Sequence, residues 1–170
     1  MNNGYNGGQG NFYIAKWDGS TWSEMGTFND VITALCFDPS GDLLVGGAFN
    51  TDASGNFFSG GPTYNALGNY YLAKWNGSTW SVVGDMHISK YYGNYVSSIC
   101  TDHRGNIYAI GGFTDARGKY YVLKWDGSNW TELAAFNDVI NAICTDASGN
   151  VYAGGNFKNA YGQWYVAKCN

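Results

Sequence analysis

Residues Tyr13–Trp22 read YIAKWDGSTW, and the chain says this line again as YLAKWNGSTW at Tyr71–Trp80 and as YVLKWDGSNW at Tyr121–Trp130; a fourth copy begins as YVAKCN at Tyr165. Each copy is two short aromatic arms around Asp-Gly or Asn-Gly. That is a hairpin signal, because glycine accepts the left-handed backbone that a two-residue turn demands. Between matching positions the offset is 58 residues from Trp17 to Trp75, 50 from Trp75 to Trp125 and 44 from Trp125 to Cys169, where the tryptophan is replaced. A period of this length marks a solenoid, propeller or array.

Two further segments of strand character complete each unit. VITALCFD (Val31–Asp38) is matched by YVSSICTD (Tyr95–Asp102) and VINAICTD (Val139–Asp146). LLVGGAF (Leu43–Phe49) is matched by YAIGGF (Tyr108–Phe113) and VYAGGNF (Val151–Phe157). The turns between them, DPSGD, DHRGN and DASGN, open on Asp and close on Gly41, Gly105 or Gly149, which is turn chemistry. They lack the ligand ladder of an EF-hand loop, so no metal site is expected. Cys36, Cys100 and Cys144 fall at one place in the repeat, inside apolar strands, and read as small buried hydrophobes rather than disulfide partners.

In 170 residues, 13% are charged, 18% are aromatic and 25 are glycine, with a formal net charge of -4. This composition suits short aromatic strands joined by tight turns. Scarce cations argue against nucleic acid or an anionic membrane surface as partner. No apolar run approaches the roughly 20 residues that span a bilayer, and MNNGYNGGQG lacks the marks of a signal peptide, so no membrane insertion is expected.

Four-stranded units of this length with a glycine-rich second strand predict an all-β chain, a β-propeller of four-stranded antiparallel blades. Residues 1–10 read as a Gly/Asn-rich tail and residues 11–170 as three blades with a spare strand at 163–168. The segments IYAIGGF (Ile107–Phe113) and YYVLKWDGSNW (Tyr120–Trp130) resemble Kelch repeats, and more closely the Kelch-like, galactose-oxidase-like propeller repeats of bacteria. The resemblance implies a propeller with a binding role and an extracellular or cell-surface setting. Three blades do not close a ring, and their end faces would expose more apolar surface than soluble monomers carry. The expected partner is therefore a second copy, two chains closing six blades; a fragment of a longer propeller and an open head-to-tail fibre are the alternatives.

The longer offsets place insertions around Asn56–Gly68 and Asp85–Tyr95, on the rim opposite the DPSG and DGST turns. They bring Phe57, Phe58, Tyr64, Asp85, His87, Tyr91, Tyr92 and Tyr95 forward as candidate ligand-binding residues, since long loops on a rigid scaffold concentrate binding. Exposed rings beside polar groups suit a glycan, whose C–H faces stack and whose hydroxyls need fixed partners. His87 and His103 are the two histidines; without a zinc cluster or a nucleophile elbow the expectation is a non-enzymatic, lectin-like binding module without cofactor. The competing expectation is a subunit that acts through its blade edges.

Overall fold

The structure, a computed structural model, describes residues 12–28, 30–49, 72–84, 86, 95–115 and 117–169. The described residues are all-β: thirteen strands in antiparallel sheets of two, four, four and three. β1 (Phe12–Trp17) and β2 (Trp22–Phe28) form a hairpin. The first complete blade is β3 (Ile32–Phe37), β4 (Leu43–Gly47), β5 (Leu72–Trp75) and β6 (Trp80–Val82), in that order. The second is β7 (Val96–Thr101), β8 (Ile107–Gly111), β9 (Tyr120–Trp125) and β10 (Trp130–Phe136). The last sheet is β11 (Ile140–Thr145), β12 (Val151–Gly155) and β13 (Ala167–Cys169). The segment left over in the sequence thus has a place: its end is β13, a third strand on β12.

The first strands β3, β7 and β11 lie side by side at the centre and the later strands of each sheet run outward, as in a β-propeller. Hydroxyls tie these inner strands together. Thr101 Oγ1 donates to the Phe37 carbonyl at 3.1 Å, and at the same place one blade on Thr145 Oγ1 donates to the Thr101 carbonyl at 2.6 Å.

Because side chains alternate across a strand, each blade has two apolar faces, and the cores lie between blades. One core joins the β1–β2 hairpin to the first blade through Ile14, Phe28, Val45 and Phe49. A second joins the first blade to the second through Leu44, Leu72, Met86, Ile99 and Phe113, and a third joins the second to the last through Ile110, Phe136, Ile143 and Phe157. One knob recurs: the residue ending the fourth-strand segment packs on the phenylalanine after the next second strand. Phe28 meets Phe49 with ring centroids 4.5 Å apart, Phe136 meets Phe157 at 4.4 Å, and Met86 shares a core with Phe113. Phe49, Phe113 and Phe157 are fully buried, each worth about 1.5–3 kcal/mol of transfer free energy.

The outer strands add a directional tie. The Trp80 indole donates to the Met25 carbonyl at 3.4 Å, and the matching Trp130 indole donates to the Val83 carbonyl at 3.0 Å. The glycines repeated in the second strand, Gly47, Gly111 and Gly155, have a local cause. A Cβ there would lie 2.2, 2.0 and 2.1 Å from the carbonyl oxygens of Val31, Tyr95 and Val139. Those carbonyls accept the N–H groups of Ala48, Gly112 and Asn156, which closes the inner strand pair. Gly155→Ala should therefore cost about 1–3 kcal/mol, read as a lower urea midpoint at unchanged slope.

Candidate functional site

Seven of the eight expected rim residues, Phe57, Phe58, Tyr64, Asp85, His87, Tyr91 and Tyr92, lie outside the described residues. Tyr95 is described: partly exposed, at the entry to β7, with its carbonyl engaged by Gly112. His103 sits in its predicted turn, against the backbone of Gly149 in the next blade. Among the described residues no three His, Cys, Asp or Glu side chains gather into a metal site, and no helix is long and apolar enough to cross a membrane.

The best-ordered polar chemistry lies in the turns between first and second strands. Asp102 Oδ1 accepts the backbone N–H groups of Arg104 at 2.9 Å and Asn106 at 3.0 Å; its Oδ2 accepts from Asn106 Nδ2 at 2.7 Å and the Tyr108 hydroxyl at 3.0 Å. Asp146 repeats the clasp with Ser148, Asn150 and the Tyr152 hydroxyl. In the first blade Leu44 stands in the tyrosine's place, and Lys74 Nζ bridges Asp38 at 2.8 Å and Asp42 at 2.7 Å. Burial raises the Asp38 carboxyl and the Lys74 ammonium lowers it, with a net result below the ordinary range. Hydrogen bonds from the Asn150 amide and backbone hold Asp146 down at about 2.

The same turn recurs on the opposite rim, which the sequence reading misses. Asp115 Oδ1 accepts from the Arg117 and Lys119 backbones, and Asn159 Oδ1 from those of Tyr161 and Gln163. The signal was there: DARGK and NAYGQ have the spacing of DHRGN. A cleft of about 180 Å³ opens between the second and last blades, lined by Asp102, Arg104, Asn106, Lys124, Ser148 and Asn150. Its one acidic group, Asp102, accepts the four hydrogen bonds of the clasp just described.

The two end flanks stand apart. Leu35, Ile99 and Ile143 occupy one repeat position, facing the preceding blade. Ile99 is 6% and Ile143 8% exposed, whereas Leu35 is 52% exposed, beside Phe37 at 66%. On the opposite flank, Ala142 and Cys144 are exposed where the matching Ala34 and Cys36 pack under the next blade. Gly154 is open, while a Cβ on the matching Gly46 would lie 2.7 Å from Val96 Cγ1.

This is the site and fold of an open-flanked β-propeller body. No protein-family model matches the chain, and no curated protein matches it. Among solved structures it is similar to a gluconolactonase from Xanthomonas campestris, at 14% identity and a TM-score of 0.43, over 92% of this chain; the chain spans 50% of that protein's length. A likeness this distant assigns no reaction here. It does correct two expectations: the described neighbour is an enzyme, so the propeller pattern does not mark a non-enzymatic module, and nothing found supports a lectin role. The resemblance to Kelch repeats likewise extends to the propeller architecture and not to that family.

The turn clasps carry a pH prediction. Because the folded Asp146 titrates near 2 and an unfolded Asp near 3.9, its stabilisation is present above the unfolded value and is lost as pH falls through about 2. Asp146→Asn keeps an acceptor for the backbone, as Asn76 and Asn159 show in related turns. Melting scans from about pH 5 downward should show a smaller drop in Tm for this variant than for the unaltered chain.

Proposed function

We propose that the chain acts as one half of a β-propeller ring, with a second copy as its partner and the assembled ring as the working unit. The repeated position of Leu35, Ile99 and Ile143 carries this reading: one side chain type, buried wherever a complete inner strand pair precedes it and exposed where only the β1–β2 hairpin does. The last blade offers the complementary surface. Ala142, Cys144 and Gly154 match Ala34, Cys36 and Gly46, which already receive a following blade within the chain. Ile32 of a second copy would enter the hollow at Gly154 as Val96 enters the one at Gly46. Such a joint is head-to-tail, and two of them close a two-chain ring.

Leu35→Asp and Gly154→Arg change exposed positions and should leave the fold of a lone chain nearly unperturbed, within about 0.5 kcal/mol. By sedimentation, each variant alone is expected to stay a single chain, because every joint would contain one damaged side. Mixed together they should form a one-to-one pair, since one joint then joins two intact flanks. An unaltered chain that remains single at every concentration overturns the proposal and leaves the flanks to further blades of a longer protein.

A further inference from the structure

Besides β5 and β9, which are seated in complete blades, two strands of this chain, β1 and β13, carry third-strand residues, and a closed ring offers those two one seat. β13 lies along β12 with Val151 opposite Cys169, Tyr152 opposite Lys168 and Ala153 opposite Ala167. β5 lies on β4 and β9 on β8 in the same register, with Trp75 and Trp125 in the place of Cys169. Ala15, Lys16 and Trp17 of β1 are the same repeat positions again. The β1–β2 hairpin packs ahead of its own first blade, so in a joint of two copies it arrives at the outer edge of the partner's β12.

We infer that the outer edge of β12 is the docking seat for β1 of a second copy, and that β13 is a plug that must leave it. This rests on the ring proposed above. A four-stranded blade then forms from β11 and β12 of one chain with β1 and β2 of the other, whereas keeping β13 would crowd five strands into one blade. The incoming hairpin also brings Trp22, 69% exposed in the lone chain. Its counterparts Trp80 and Trp130 donate to carbonyls three residues past the preceding blade's hairpin tryptophan, those of Met25 and Val83; the corresponding acceptor for Trp22 is the carbonyl of Leu133.

Residue 134 sets the balance between plug and docked strand. The Trp125 ring lies so close to Gly84 that a Cβ there would sit 2.3 Å from it. One blade on, the matching residue is Ala134, and the matching ring is absent because Cys169 stands there, buried beside Ala134. Gly84 has a left-handed backbone and Ala134 lies inside β10, so what carries over is the place and not the Cβ direction: Ala134 packs in one core with Cys169, and Trp17 in the place of Trp125 would bring an indole where that small thiol sits. The plug is matched to its seat, and the docked strand must fit a larger ring against the same methyl group.

The full chain tests this by concentration-dependent sedimentation, with circular dichroism to confirm folding. Ala134→Gly should tighten pairing by about tenfold, the equivalent of relieving one overpacked contact. Ala167→Pro, which weakens β13 without touching β1 or β2, should tighten it as well. Adding Cys169→Trp to Ala134→Gly refits the plug and should reverse the gain. If the unaltered chain pairs but Ala134→Gly and Ala167→Pro leave pairing unchanged or weaker, the plug is refuted and the ring stands. If the unaltered chain stays single at every concentration, the ring falls and the plug with it.

Discussion

Contact between apolar faces of neighbouring blades is the constraint on which the rest of this structure depends. A four-stranded sheet of short strands with both faces apolar cannot satisfy itself; it needs a sheet on each side. The chain meets that need at three joints: a fourth-strand end residue packs on the next phenylalanine at all three, an indole donates to the preceding blade's carbonyl at the first two, and a hydroxyl ties neighbouring inner strands at the last two. Stability in such an array is a sum over the blades and the joints between them.

The polar groups serve this packing. Asp102 and Asp146 close their turns and also hold the tyrosine that rises from the second strand, so a loop and a core-facing strand are fixed by one carboxylate. In the first blade, where leucine replaces that tyrosine, Lys74 reaches from the third strand to perform the same bracing with an ion pair. Both solutions put the carboxylate's charge to structural use.

Most of the architecture was legible because it is local and repeated. The Asp-Gly and Asn-Gly hairpins, the D-x-x-G turns and the matched strands predict thirteen strands and their grouping, and the sheets follow that grouping. What was not legible depends on a neighbour. Leu35 looks like Ile99 and Ile143 in sequence and differs only in what lies beside it. Ala134 and Cys169 look like two unrelated departures from the repeat until Trp125 is seen against Gly84. The candidate site fared worse than the fold: all but Tyr95 of the aromatic rim falls outside the described residues, and aromatic composition alone did not distinguish a lectin from an enzyme.

In the proposed ring, the exposed flank of the last blade is a joint surface like those already formed inside the chain. Cys144 reports on it directly, since its counterparts Cys36 and Cys100 are partly covered by the following blade and Cys144 is exposed. Alkylation of each cysteine, resolved by peptide mass as protein concentration is raised, measures that coverage. Cys144 is predicted to slow toward the rates of Cys36 and Cys100 as chains pair. A Cys144 that reacts at one rate at every concentration, while the two inner thiols stay slow, would contradict the account.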